Sequence, residues 1–173
     1  MNIRLALAPF VLVSTLSACT GMSPRGPQGM ATLDPTSGNT ASGTVRFEQR
    51  GDDVQVTAQV SGLKPNQEHG FHAHEKGDCS SGDGMSTGGH FNPSGKPHGT
   101  QDGDHHAGDL PALKADASGR ATATFVLHGV SLGSGPADLL GRGLIVHAAP
   151  DDYKTQPTGN SGARIACGVI RPA

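Results

Sequence analysis

The residues from His69 to Asp109 constrain this chain more than any other part of its sequence. Seven of the nine histidines lie in this segment, in the runs H-G-F-H-A-H at 69–74, G-G-H-F-N-P at 88–93, K-P-H-G at 96–99 and H-H-A-G-D-L at 105–110. Histidine is the commonest metal ligand. From 76 to 110 the sequence shows neither helical nor strand periodicity, and so long a loop in a compact domain is usually functional. The segment therefore predicts a metal site that orders this loop.

The rest of the sequence alternates with a period of two, which indicates antiparallel strands with one buried face. A turn at 51–52 joins the two clearest strands into a hairpin, and a turn at 117–119 is expected to join 110–115 and 121–127 into a second one. No segment has a convincing helical period. The expected strands, about eight in number, lie near 31–34, 44–48, 54–60, 69–75, 110–115, 121–127, 143–147 and 164–170. This pattern predicts an all-β sandwich or barrel.

Composition narrows the class of partner. Aromatic residues make up only 3% of the chain and tryptophan is absent, so aliphatic side chains must form the core. The formal net charge is −2, and the sequence has neither a basic stripe nor a block of like charges. Proteins that bind nucleic acid usually carry such a stripe. We therefore expect no nucleic-acid partner.

The N-terminus has the form of an export signal. Arg4 supplies a positive charge, an apolar run follows at 5–16, and small residues end it. The run is shorter than the roughly 20 residues of a membrane-spanning helix. The sequence L-S-A-C at 16–19 resembles the lipobox of bacterial lipoproteins, whose cysteine becomes the lipidated first residue. Thr20, rather than Asp, follows Cys19, which in that family favours the outer membrane. An ordinary cleaved signal, in which Cys19 is incidental, is the alternative.

These features divide the chain into three parts. We expect a lipoprotein signal peptide at 1–18, a lipidated Cys19 with a flexible tether to residue 29, and a folded domain at 30–173. The tether is expected because residues 21–29 are rich in Pro and Gly. The predicted location is the periplasm, with a lipid anchor in the outer membrane.

The cysteine count agrees with export. If Cys19 carries lipid, Cys79 and Cys167 remain, and an exported chain lies where disulfides persist. A bridge between them would close a loop of roughly 90 residues and add about 4 kcal/mol to stability in the chain-entropy account. Two buried free thiols are the alternative.

The histidine spacing indicates which metals fit. His72 and His74 are two residues apart on an expected strand, so their side chains share one face, and His147 ends another strand. A second group of ligands comes from the loop: His90, His98, His106 and Asp109. Three imidazoles and a carboxylate suit zinc, whereas an all-histidine set suits copper(II). Sharing one histidine would make a binuclear site, although a metal-storage module explains the residues alone equally well.

The chain resembles the copper–zinc superoxide dismutases, in their exported bacterial branch. The resemblance runs from G-T-V-R-F-E at 43–48 to G-V-I at 168–170. It is carried by H-G-F-H-A-H, G-G-H-F-N-P, H-A-G-D-L at 106–110, L-I-V-H at 144–147 and G-N-S-G-A-R-I-A-C-G at 159–168. It implies a flattened eight-stranded Greek-key β-barrel or sandwich with long metal-binding loops.

The resemblance also assigns roles to residues. His69 matches a structural position, and H-x-G-D selects His106 rather than His105 as a ligand. The remaining assignments are copper by His72, His74, His90 and His147; zinc by His90, His98, His106 and Asp109; a carboxylate bridging two ligand histidines at Asp151; a disulfide between Cys79 and Cys167; and a guanidinium at the copper mouth at Arg164.

The activity implied is conversion of superoxide to dioxygen and hydrogen peroxide in a Cu(II)/Cu(I) cycle, which would protect the cell envelope. The resemblance implies that His90 and Arg164 are the catalytic residues and that zinc is structural. The chain lacks the longer guiding loop of the eukaryotic branch, so Lys96 and Lys154 are candidates for steering the substrate. A copper or zinc buffer, which would not need Arg164, is the competing function, and a structural β-domain is a third. Monomer and homodimer are both consistent with the sequence.

Overall fold

The computed structural model describes residues 26–173. The expected signal peptide, Cys19 and most of the expected tether therefore lie outside the described residues. The strands are β1 (Gln28–Pro35), β2 (Ser42–Arg50), β3 (Asp53–Ser61), β4 (Glu68–His69), β5 (Phe71–His74), β6 (Leu113–Lys114), β7 (Ala121–Leu127), β8 (Gly143–His147), β9 (Arg164–Val169) and β10 (Arg171–Pro172). Over residues 26–173 the one helical element is a 3-10 turn at Met85–Thr87. The all-β prediction is confirmed.

Eight of these strands form one curled antiparallel sheet. Its order is β5-β8-β9-β1-β2-β3-β7, and β10 pairs with β1 as the eighth strand. The strands β4 and β6 pair separately. The alternation of apolar and polar residues in the sequence predicted one buried face for β3. The structure has that face, since Val54, Val56, Ala58 and Val60 are buried. In the described part of the chain, no helix has the length and apolarity needed to cross a membrane.

The sheet begins earlier than the sequence predicted. Gln28 and Gly29, expected at the end of the tether, pair with Glu48 and Phe47 of β2. Main-chain hydrogen bonds need no apolar side chain, so a Pro/Gly-rich sequence does not prevent residues from joining a sheet. The strand β1 therefore starts two residues before residue 30, where the folded domain was expected to begin.

The expected second hairpin is wrong. The strand β6 pairs with β4, whereas β7 pairs with β3 along its whole length, from Val54 opposite Leu127 to Val60 opposite Ala121. The turn itself exists, since Asp116 donates its N–H to the carbonyl of Arg120 at 2.8 Å. A period of two tells which face of a strand is buried but not which strand lies beside it, and β3 offers β7 a longer apolar partner.

The topology brings the expected ligands together. All four residues of β5 and all five of β8 are buried, which is why neither strand alternates. Pairing of β8 with β9 places His147 opposite Arg164. Two isolated bridges, His72 with Asp109 and His74 with His90, tie the long loop back to β5. The histidines of the loop therefore meet those of the sheet.

Candidate metal centre

Four histidines form the first ligand group: His72 and His74 on β5, His147 at the end of the neighbouring β8, and His90 from the loop. Each offers a ring nitrogen, and these nitrogens all lie within 4.8 Å of one another. None of the four residues is more than 5% exposed. A compact, buried set of four imidazoles is suited to copper.

Asp109 is the centre of the second group. Its Oδ1 lies 2.8 Å from Nδ1 of His90, 2.9 Å from Nδ1 of His98 and 3.2 Å from Nδ1 of His106. Its Oδ2 accepts hydrogen bonds from the main-chain N–H groups of Gly99 at 3.1 Å and His106 at 2.9 Å, which fix the carboxylate. Three imidazoles and one carboxylate are a set that tetrahedral zinc accepts.

The unpaired nitrogens show that both groups fit metal ions. Among the described residues, six buried ring nitrogens of the ligand histidines make no contact with hydrogen-bond geometry: Nδ1 of His72, His98 and His106, and Nε2 of His74, His90 and His147. For His98 and His106 this holds although Oδ1 of Asp109 is close. Buried polar atoms are normally hydrogen-bonded, so orphaned ones call for an explanation. These atoms lie close together within each group, and one metal ion in each group would give all of them a partner.

His90 belongs to both groups. Its Nδ1 lies beside Asp109, and its unpaired Nε2 belongs with the copper group. The two nitrogens of one imidazole thus face the two groups, as the bridging arrangement predicted from the sequence requires.

Main-chain carbonyls orient the copper histidines. Nδ1 of His74 donates to the carbonyl of Gly88 at 3.0 Å, and Nδ1 of His147 donates to that of Gly162 at 3.1 Å. Each bond puts the proton on Nδ1 and leaves Nε2 free to bind metal. His69 lies outside both groups and donates from Nδ1 to the carbonyl of His147 at 2.7 Å.

Asp151 links the two groups. Its Oδ2 accepts from Nε2 of His72 at 2.6 Å, and its Oδ1 accepts from Nε2 of His98 at 2.9 Å. The main-chain N–H of Tyr153 also donates to Oδ1, at 2.7 Å. One carboxylate therefore fixes the tautomer of one histidine in each group.

Two further residues position the zinc ligand His98 and its partner Asp151, and the sequence analysis did not predict either of them. The side-chain amide of Gln156 accepts from the N–H of His98 at 2.8 Å and donates to its carbonyl at 2.9 Å. Gly159 has a φ of +65°, and a Cβ there would overlap the Asp151 carboxylate and the His98 ring. A lone glutamine in a polar loop gives no signal, and a glycine turn does not reveal what it packs against.

Burial sets the protonation of the ligands. It lowers the pKa of His74 to about 2, of His147 to about 3 and of His72 to about 4. Burial opposes protonation of His98 too, but the carboxylates of Asp109 and Asp151 outweigh it and raise the pKa of His98 to about 9. The copper histidines are therefore neutral at pH 7, the state that binds metal.

Arg164 is held beside the copper group. Its Nη1 donates to the carbonyl of Gly84 and to Oγ1 of Thr87, and its Nη2 donates to the carbonyl of Gly88, all at 2.7 Å. The guanidinium is half-buried, and its charge helps to lower the pKa values of His74 and His147, after burial. A fixed cation thus lies next to the predicted copper ligands.

The remaining sequence candidates lie at the surface. His105 is partly exposed and donates to the carbonyl of Gly103, outside both ligand groups. His128 is exposed and lies 2.7 Å from Asp53. Lys96 pairs with Asp104 at 3.3 Å, whereas Lys154 is exposed.

Comparison with known proteins identifies the family. The copper/zinc superoxide dismutase (SODC) family model matches residues 41–170. The chain belongs to this family. It is 44% identical over 151 residues to the Cu-Zn superoxide dismutase 2 of Brassica juncea, covering 83% of this chain and 96% of that one.

Two solved structures have a similar fold. A double mutant of a superoxide-dismutase-like protein from Bacillus subtilis has a TM-score of 0.72 and 38% identity, covering 82% of this chain and 96% of that one. The clock protein EA4 has a TM-score of 0.77 and 38% identity, covering 88% and 98%. Because a superoxide-dismutase-like protein and a clock protein share this fold, the side chains at the metal centre say more about activity than the fold does.

This superoxide dismutase homologue has both ligand sets complete. The copper set is His72, His74, His90 and His147, and the zinc set is His90, His98, His106 and Asp109. The copper and zinc predicted from the sequence are confirmed as the metals that this site accommodates. The disulfide between Cys79 and Cys167 is also present, with its Cα atoms 5.9 Å apart.

Proposed function

We propose that the protein is an active superoxide dismutase that protects the cell envelope from superoxide. The observation that carries this proposal is a fixed guanidinium, that of Arg164, beside a complete copper ligand set with a separate zinc set next to it. When bound, copper supplies the one-electron redox chemistry that converts superoxide to dioxygen and hydrogen peroxide, and zinc orders the loop. A metal buffer would need neither the cation nor two complete sets.

Arg164 is assigned to bind the substrate. Superoxide is a small anion, and a guanidinium keeps its charge at any physiological pH. Two carbonyls and a hydroxyl accept hydrogen bonds from Nη1 and Nη2, so the cation is set in place before an anion arrives. Guidance of an anion by positive charge is established for superoxide dismutases as a family, and the exposed Lys154 is our candidate for long-range steering.

His90 is assigned to carry a proton. Its Nε2 is free of protein hydrogen bonds within residues 26–173, and Asp109 holds the ring from the other side through Nδ1 at 2.8 Å. Nε2 could therefore take up a proton when it is not bound to copper, and pass that proton to the reduced substrate. Peroxide formation needs two protons, and a buried imidazole beside the substrate can deliver one of them.

The test of substrate binding is Arg164→Gln, with Arg171→Gln as control. Arg171 is exposed on β10. Loss of a charged hydrogen bond to the anion should lower the dismutation rate constant of the metal-loaded protein about tenfold or more, with copper and zinc contents unchanged. Equal rate constants in both variants would contradict the proposal. In the same assay, Lys154→Ala should show a smaller loss and a weaker salt dependence.

We also propose that the protein lies in the periplasm, anchored to the outer membrane through Cys19. The L-S-A-C sequence supports the anchor, and the Cys79–Cys167 disulfide supports an oxidising compartment. Fractionation of cells should place the protein in the outer membrane and its Cys19→Ser variant elsewhere. Full-length protein that remains in the soluble fraction would contradict the anchor.

A further inference from the structure

Thr87 ends the 3-10 turn in the loop between Cys79 and His90, and its side chain is fully buried at 0% exposure. We propose that Thr87 is a positioning residue for anion capture, because its hydroxyl fixes the orientation of the Arg164 guanidinium. This inference rests on the proposed function and adds a residue to it.

The hydroxyl of Thr87 donates one hydrogen bond and accepts another. Oγ1 donates to the carbonyl of Gly84 at 2.8 Å and accepts from Nη1 of Arg164 at 2.7 Å. Nη1 also donates to the same Gly84 carbonyl at 2.7 Å. A guanidinium has no acceptor, and a hydroxyl has a single proton. The proton therefore goes to Gly84, and a lone pair of Oγ1 faces Arg164.

The main chain of Thr87 is held by an extension of β5. The carbonyl of Thr87 accepts a hydrogen bond from the N–H of Lys76 at 2.9 Å. The carbonyl of Gly89 accepts one from the N–H of Glu75 at 3.0 Å. Glu75 and Lys76 follow His74 directly. The threonine is thus fixed relative to the strand that carries two copper ligands.

The methyl group of Thr87 packs against the first residue of β8. Gly143 starts β8 opposite His74, and a Cβ at Gly143 would lie 2.7 Å from Cγ2 of Thr87. The methyl therefore occupies space that is open only because residue 143 is glycine. Since the two branches of threonine are rigidly related, the rotamer that packs the methyl also points the hydroxyl at Arg164, where its own two hydrogen bonds hold it.

The next residue connects Arg164 to a copper ligand. The carbonyl of Gly88 accepts from Nη2 of Arg164 at 2.7 Å and from Nδ1 of His74 at 3.0 Å. If a methyl group replaced the Thr87 hydroxyl, as in Thr87→Val, Nη1 of Arg164 would keep only its hydrogen bond to the Gly84 carbonyl and would face the methyl on its other side. The orientation of the cation toward copper would then be less restricted.

The two halves of the side chain can be tested separately. Thr87→Val keeps the shape and removes the hydroxyl, and Thr87→Ser keeps the hydroxyl and removes the methyl. The probe is azide, a small anion, titrated into the copper- and zinc-loaded protein by visible absorption. The azide Kd should rise about 3- to 10-fold in Thr87→Val, because a hydrogen bond to a charged group is lost, and should stay within about twofold in Thr87→Ser. Thr124→Val, an exposed position on β7, is the control.

Equally weakened azide binding in Thr87→Val and Thr87→Ser would show that Thr87 acts through packing alone. An unchanged azide Kd in Thr87→Val would show that the hydroxyl has no effect. Either result overturns the proposal. Azide binding does not depend on turnover, so a wild-type protein without dismutase activity would contradict the proposed function and leave this test intact.

A second measurement needs neither metal nor a variant. In the metal-free wild-type protein, ¹⁵N NMR should show separate, slowly exchanging Nη1 and Nη2 signals for Arg164, since both nitrogens are hydrogen-bonded. Averaged signals from a freely rotating guanidinium would overturn the proposal even if Thr87→Val does not fold.

Discussion

At the scale of single residues, Asp151 offers the sharpest test of how the two metal groups are connected. Its carboxylate accepts from His72 and His98, one histidine of each group. Asp151→Asn would replace one accepting oxygen by a donor and force one ring into the wrong tautomer. Zinc affinity should fall about 10- to 100-fold, the usual effect of losing such an orienting partner, as measured by competition with a chelator.

Asp152→Asn is the matched control for that substitution. Asp152 is exposed and accepts from Lys154 and Thr155 through an oxygen that asparagine keeps. Its zinc affinity should equal that of the wild type. If Asp151→Asn also binds zinc normally, the carboxylate does not orient His98 and our description of the link is wrong.

The ligands were predictable at this scale, whereas their supports were not. His72 and His74 are recognisable because a strand puts alternate residues on one face, and the motifs around His106 and Asp109 are specific. Gln156 and Thr87 act through contacts with residues 58 and 77 positions away. No local pattern marks such a contact, so only the structure shows it.

At the scale of elements, the disulfide joins the metal-binding loop to β9. Cys79 and Cys167 are 88 residues apart, and closing a loop of this length stabilises a fold by about 4 kcal/mol in the chain-entropy account. The metal-free Cys79→Ser/Cys167→Ser variant should therefore unfold at a clearly lower urea concentration than the wild type. Reduced wild-type protein is the control and should match the variant. Coincident unfolding of variant and oxidised wild type would refute the estimate.

Strand positions were predictable at this scale, but strand partners were less so. Periodicity located β2, β3 and β7, because each buries alternate residues. It assigned β7 to a hairpin with the segment before it, although β7 pairs with β3. It also missed the first residues of β1, since Gln28 and Gly29 join the sheet through main-chain bonds that leave no hydrophobic pattern.

At the scale of the whole molecule, the buried histidines make the stability of the metal-free protein depend on pH. The pKa values of His72, His74 and His147 are lowered from 6.5 to about 4, 2 and 3. Below pH 6.5 the unfolded chain therefore binds protons that the folded chain does not, and stability falls as pH falls. His98, with its pKa raised to about 9, adds stability below pH 6.5 that is lost as pH rises through 9.

Urea unfolding of the metal-free protein should show both effects. The unfolding free energy should fall by about 5 kcal/mol between pH 7 and pH 5. Each of the three copper histidines contributes about 1.4 kcal/mol for each pH unit below 6.5, and His98 offsets about 1 kcal/mol of the sum. It should also fall between pH 7 and pH 9. An unfolding free energy that stays constant or rises on acidification would contradict the neutral, buried state of the copper histidines.

The central claim is that the two ligand sets and Arg164 together make an enzyme. The most direct measurement is superoxide dismutation by the purified protein from Thr20 onward, with copper and zinc measured on the same sample. We predict high activity with one copper and one zinc per chain, and loss of activity in His147→Ala while zinc and the fold remain. Both metals bound without dismutation would contradict the account and favour a metal buffer.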